Sequence, residues 1–428
     1  MNVSIDKPTY AENFLTISMS FYYAVGVIWT GSILNKTQQV QMWAISVLLV
    51  LLALASVAKG KISFSTRPSL YIVSLSSFLF FSWASYFWAE STDRVISRGG
   101  LITRIILSMM VFSLLLNSPK GLRTILKSIE YGGYMAVCYL IFQNGASYML
   151  SRMLRGSRLK YTGINSNTIG LVAAFSVIIA VYFLTVEGFK VSTLFVIPSA
   201  FIIVLSVSKK SFAAVILGIV LYRMFYTMKK NKIADNIIRT VGILCLMAVS
   251  VYLLLKLPIM ASIVKRMEGL FNGFFGGDNG TTVDTSTSQR MYLKQMGFDL
   301  IKQNPLLGVG LDCARYFNKY KMYLHDNYLE IFSDLGLVGF VSYYAVYFIV
   351  AVRFIKNWNT EDKEFDICFT LLFLMLILDY SRVSYYNLST YYIILLFCIK
   401  SGALVKERME KERNKKALGE TICDDADK

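Results

Sequence analysis

The sequence predicts an all-α polytopic membrane protein of about twelve spanning helices, with one long loop on one face. Three observations carry this. The 428-residue chain is 55% hydrophobic and 14% aromatic but only 17% charged, and its mean hydropathy is +0.52, which is outside the soluble range. Nearly uncharged apolar runs recur from end to end, several close to the roughly 20 residues that the hydrocarbon thickness requires. In lipid, only a helix satisfies its own backbone one segment at a time.

In chain order the runs are Phe14–Leu34, Met42–Ala58, Ser69–Ala89, Leu101–Leu116, Tyr131–Leu150, Thr168–Val186 and Val191–Ser208. They continue at Ser211–Tyr226, Ile237–Leu257, Leu335–Val352, Ile367–Leu378 and Val383–Ile399. Arg104, Arg223 and Asp379 interrupt or flank the fourth, eighth and eleventh. The chain therefore divides into helices one to nine over 1–257, a loop with short helices over 258–334, helices ten to twelve over 335–402, and a charged tail over 403–428.

The net charge of +17 would suggest nucleic acid in a soluble protein. Here no long polar domain concentrates a basic surface, so nucleic acid is not an expected partner. Basic inside loops explain the excess. With both termini cytoplasmic, the inside loops hold Lys59, Lys61 and Arg67, then Lys120, Arg123 and Lys127, then Lys229, Lys230 and Lys232, and then Arg353, Lys356 and Lys363. The tail KERMEKERNKK completes the series and reads as a solvated helix end followed by disorder. The long loop then falls outside. The polar opening, MNVSIDKPTYAEN, has no cleavable signal pattern. Six scattered cysteines suggest neither a disulfide framework nor a metal site.

Some outside loops break the charge rule. Arg152, Arg155, Arg158 and Lys160 follow the fifth run, and Lys209 and Lys210 lie in the turn after the seventh. An anionic substrate at that face is one reason for them; anionic lipid head groups are the other.

Within the long loop, LFNGFFGGDNGTTVDTSTS is expected to be irregular. Ser286-x-x-Gln289 has capping-box spacing, and Leu293, Met296, Gly297, Leu300 and Ile301 follow at helical intervals. Arg290 falls in the first turn, where a cation opposes the macrodipole. That position points either to a phosphate or carboxylate partner or to a solvated arginine. Asn304-Pro305 stops the helix, and Gly308 and Gly310 allow tight turns. Asn327-x-x-Glu330 is read as the cap of a further helix. His325, the chain's one histidine, lies just before it. A helix N-terminus disfavours imidazolium, so His325 should be neutral, either as a proton acceptor in a sugar or phosphate site or as a structural hydrogen-bonding group. No nucleophile-and-base spacing supports covalent catalysis, and no outer carboxylate–histidine cluster supports a metal. No cofactor is therefore expected.

Several motifs together resemble the O-antigen ligase/polymerase family of bacterial surface polysaccharide assembly. They are Arg290, then Asn304-Pro305-Leu306-Leu307-Gly308-Val309-Gly310, then His325-Asp326-Asn327-Tyr328-Leu329, then Gly336-Leu337-Val338-Gly339. Thr162-Gly163-Ile164-Asn165-Ser166-Asn167-Thr168 is similar to the family's G-x-x-N-x-N element. The chain has Lys209 and Lys210 where the family often has arginine. The resemblance implies a GT-C-like glycosyltransferase in the bacterial cytoplasmic membrane, acting at its outer face on a polyprenyl-diphosphate-linked oligosaccharide. It implies Arg290 and His325 as catalytic residues, with Arg152, Arg155, Arg158, Lys160, Lys209 and Lys210 binding the diphosphate. Asn165, Asn167, Asn327, Gly308 and Gly310 would position substrate. Membrane lipid, a chain-length regulator and a flippase are the implied partners. Polymerase and ligase both remain open, with polymerase favoured by the family's breadth. A lipid-linked-sugar transporter is the rival from another class. It predicts symmetric halves and helices broken or charged at the midplane.

Overall fold

The computed structural model describes residues 10–30, 44, 46–47, 69–116, 121–145, 147–149, 151, 165–206, 208–228, 285–358 and 362–426. These residues form helices and connecting turns, with no strand among them. The helices are α1 (Tyr10–Thr30), α2 (Ser69–Ala84), α3 (Thr92–Leu115), α4 (Gly121–Asn144) and α5 (Ser166–Glu187), then α6 (Val196–Leu205) and α7 (Lys209–Met228). They continue as α8 (Thr285–Gln303), α9 (Asn327–Lys356), α10 (Lys363–Asp379) and α11 (Leu388–Ala426).

Six stretches among the described residues are long and apolar enough to cross a membrane: Leu70–Phe87, Thr92–Leu115, Ser166–Glu187, Lys210–Thr227, Asn327–Lys356 and Leu388–Asn414. The ninth apolar run lies outside the described residues, as does most of the second. The seventh run is shorter in helix than its apolar length implies. A 3₁₀ turn occupies Val191–Phe195 and leaves ten residues to α6. The charged tail, expected to be a solvated helix end followed by disorder, is helical through Ala426. It continues α11, supported by Lys406–Glu410 and Arg408–Glu412 pairs at i,i+4 spacing.

Helix α1 packs along α4, α4 against α5, and α5 against α6 and α7. Helix α10 lies on α7, α9 on α2, and α11 among α3, α4 and α9. Tyr23 and Tyr392 meet edge to face at 5.0 Å in the interior, and the Tyr392 hydroxyl donates to the Met19 carbonyl at 2.7 Å.

Charges gather at the two ends. At one end Arg123 pairs with Glu187 at 2.7 Å, Arg353 donates to Ser401 at 3.4 Å, and Lys400 pairs with Asp362. At the other end the loop 304–326 is tied to the α2–α3 turn. There Trp88 Nε1 donates to the Leu307 carbonyl at 3.1 Å, and Leu311 N–H donates to Ser85 Oγ at 3.1 Å.

Helix α9 is broken at Gly336, where φ is +63° and ψ −165°. A break frees carbonyls and amides that a spanning helix must satisfy elsewhere. The segment Pro305–Gly310 supplies the partners. Val309 and Gly310 donate to the carbonyls of Ser333 and Asp334 at 3.0 and 2.7 Å. Leu337 and Val338 donate to Pro305 and Leu306 at 2.8 and 3.3 Å. The fit needs glycine on both sides. A Cβ at Gly308 would lie 2.4 Å from the Asp334 backbone, and one at Gly336 2.2 Å from the Leu306 carbonyl oxygen. Both have positive φ. Gly308 and Gly310, expected to position substrate, therefore have a backbone role at this joint.

Candidate functional site

The site assembles at the end where the loop, the start of α9 and two inter-helix turns meet. Helix α8 begins at Thr285, so Arg290 stands in its second turn, not in the first. Leu293 and Leu300 bury against Val309, Cys313, Leu324 and Leu329, with Met296 and Ile301 packed alongside. That seats α8 on α9 by its apolar spacing and leaves Arg290 exposed.

His325 sits half-buried in the turn before α9, in the left-handed region at φ +63°. Asp312 and Lys321 of the same loop share that uncommon conformation. The His325 ring lies against Tyr323, with centroids 4.3 Å apart. The helix cap is Asp326, one residue earlier than the sequence spacing implies. Its carboxylate accepts from the backbone N–H groups of Tyr328 and Leu329 at 3.1 and 3.2 Å. Glu330 closes no box. It reaches back to the Leu324 N–H at 2.5 Å.

Asn327 is wholly buried. Its Nδ2 donates to the Tyr344 hydroxyl at 2.7 Å and to Asp379 at 3.2 Å. Its Oδ1 accepts from Ser384 N–H at 2.8 Å and Tyr385 N–H at 3.1 Å. This side chain fastens the His325 turn to the α10–α11 turn. Lys294, one helical turn after Arg290, makes a second clamp. Its ammonium pairs with Asp326 at 2.9 Å, donates to the Tyr380 carbonyl at 3.4 Å and sits 3.5 Å over the Tyr380 ring.

Two separate elements, α8 with Arg290 and α7 with Lys210, hold cations close to His325. Burial first, then the neighbouring charges of Arg290 and Lys210, pull its imidazole from the ordinary 6.5 down to about 4. Burial and these two cations favour the neutral imidazole at pH 7. Lys210, near the start of α7, lies within electrostatic reach of Arg290, Lys294, Arg382 and Asp326. Lys294 is neutralised by Asp326. Among the described residues, no carboxylate lies within ion-pair distance of Lys210, Arg290 or Arg382. Such a gathering of uncompensated cations suits an anion.

Of the residues singled out in the sequence, the fold thus brings together His325, Arg290 and Lys210. Lys209 is the first residue of α7. Arg152, Arg155, Arg158 and Lys160 lie outside the described residues. Asn165 is the N-cap of α5 and accepts from Asn167 N–H at 2.9 Å. Lys294 and Arg382 were missed; only their charge could have flagged them.

A second polar centre braces the loop from behind. Asp312 pairs with Arg94 at 3.7 Å, Arg98 at 3.2 Å and Arg315. Asp334 accepts from Asp312 N–H at 3.0 Å and Ala314 N–H at 2.8 Å. Among the described residues, no group of three or more His, Cys, Asp or Glu side chains is placed to hold a metal ion.

Comparison with known proteins matches residues 193–344 to the family described as O-Antigen ligase. This segment carries Lys210, Arg290, His325 and the Gly336 joint. An uncharacterized protein of Haemophilus influenzae is 26% identical over 332 residues, which is 72% of this chain and 77% of that protein. The family match covers about a third of the chain, and over that segment the chain is similar to the O-antigen ligase family.

Proposed function

We propose that this protein is a membrane glycosyltransferase that polymerises polyprenyl-diphosphate-linked oligosaccharide units into surface polysaccharide. The observation that supports this is the set of uncompensated cations, Arg290 and Lys210, beside a neutral His325 within the matched segment. A diphosphate leaving group develops negative charge as it departs, and fixed cations stabilise that charge without reorganising. A hydroxyl oxygen of the acceptor attacks the anomeric carbon while the bond from that carbon to phosphate oxygen breaks. The electron pair leaves on the lipid diphosphate. His325 accepts the hydroxyl proton or orients the hydroxyl. On this reading the site faces outward, both termini are cytoplasmic, and the bundle comprises about twelve helices of GT-C-like type. A flippase would deliver the donor, and a chain-length regulator would act on the product.

The test is reconstitution in liposomes with a polyprenyl-diphosphate oligosaccharide, scored for longer lipid-linked chains. Wild type should extend them, and excess chelator should leave the rate unchanged. Arg290→Ala should reduce the rate by about 10²-fold or more, the scale for losing one preorganised charge-stabilising group. Absence of extension by wild type sinks the polymerase reading. Similarity over residues 193–344 to the O-antigen ligase family favours a second reading, a ligase. Transfer of the glycan to a different, non-diphosphate acceptor in the same liposomes would select it.

A further inference from the structure

Arg382 lies in the turn between α10 and α11, outside the segment that matches the family and away from any motif. Its position is nevertheless set by the site. Asn327 grips the backbone at Ser384 and Tyr385, and Lys294 grips it at Tyr380. Arg382 is therefore held between two clamps, one from Asn327 in the turn that follows His325 and one from Lys294, one helical turn after Arg290. Its side chain runs back toward the bundle interior. Nη2 lies 3.3 Å from Met375 Sδ, and the guanidinium is 5.9 Å from the Phe175 ring centre. Met375 is four residues inside the end of α10, about 6 Å along the axis. Phe175 is nine residues inside α5, about 14 Å. Arg290, in contrast, is exposed on the outer helix.

The guanidinium has poor company for a charge. Among the described residues its hydrogen-bond partner is a thioether, a weak acceptor, and its Nε is buried without a partner. Asp379 is within electrostatic reach. Its two oxygens, however, already accept from Ser384 Oγ, Tyr344 and Asn327 at 2.6, 3.1 and 3.2 Å. An arginine fixed at this depth, beside a lysine and under-supplied with acceptors, is arranged for an anion that arrives from outside.

We propose that Arg382 is a specificity residue of the anionic site, contacting the lipid-proximal phosphate of a prenyl diphosphate while Arg290 and Lys210 take the sugar-side phosphate. This rests on the proposed function. Two phosphates engaged by cations at two depths would make the site select a diphosphate over a monophosphate. The planar fork of arginine suits that contact better than a lysine point charge.

The test is competition binding of farnesyl diphosphate and farnesyl monophosphate to the full-length protein in nanodiscs. Wild type should prefer the diphosphate by about tenfold or more, the scale of one charge-assisted contact. Arg382→Gln should abolish the preference and leave monophosphate affinity within about twofold. A merely structural role would weaken both ligands alike. Should Arg382→Gln not fold, Arg382→Lys decides: lost preference supports the proposal, and wild-type preference overturns it. An Arg382→Gln protein that keeps the full preference also overturns it while leaving the proposed function intact. Failure of wild type to bind either ligand would overturn the proposed function itself.

Discussion

His325 can be followed by itself, because the chain contains no other histidine. One imidazole resonance in an isotope-labelled sample reports its ionisation without assignment. The expected midpoint is about 4. Arg290→Gln should raise it, because removing a neighbouring cation lowers the cost of imidazolium; a bound diphosphate should act in the same direction. An unchanged midpoint in Arg290→Gln would show that the two side chains do not face each other. The sign for stability follows from the same shift. The unfolded imidazole titrates near its ordinary 6.5 and the folded one near 4, so between those values the unfolded chain binds more protons. The contribution of the neutral imidazole is then complete above pH 6.5 and declines as pH falls toward 4. In kinetics, the acid limb of kcat/KM should lie below that of kcat, since only the latter reports the occupied site.

At the scale of elements, the joint between 305–310 and the break in α9 is the feature most exposed to test. Gly336→Ala forces a side chain into a left-handed residue and against the Leu306 carbonyl. The backbone conformation alone costs about 1–3 kcal/mol, so the purified variant should show a clear drop in thermal unfolding temperature in detergent. A variant as stable as wild type would mean that α9 runs through unbroken. The sequence made α8 legible, because its Leu293–Leu300 spacing is a local signal, although the helix starts at Thr285, ahead of the cap expected at Ser286. It could not reveal the break. Leu335 to Val352 reads as one apolar span, and the acceptors that permit an interruption come from Pro305 and Leu306, some thirty residues away. The cap shifted by one residue for a related reason. Asp326 and Asn327 are both good capping types, and tertiary partners claimed Asn327 for the α10–α11 turn.

For the whole molecule, the orientation read from basic loops is open to direct measurement. A cysteine placed at Lys319, in a background with the native cysteines replaced, should react with a membrane-impermeant maleimide in intact cells, and one at Glu410 only after lysis. The opposite pattern would invert the topology. Apolar runs made the membrane class legible, since spanning length is a property of contiguous residues. Convergence of the site was only partly so. Lys210 stood out as an exception to the charge rule, whereas Arg382 follows Asp379 in a stretch that reads as the junction between two spans. The joint at Gly336 has one further consequence. Its backbone bonds run from 305–310 to 333–338, so they close the intervening chain into a ring that carries His325. A ring of this kind cannot swing aside as a lid while both seams hold. On the proposed function, a long-chain donor would enter sideways from the lipid or along the seam with the α10–α11 turn, with His325 already in place.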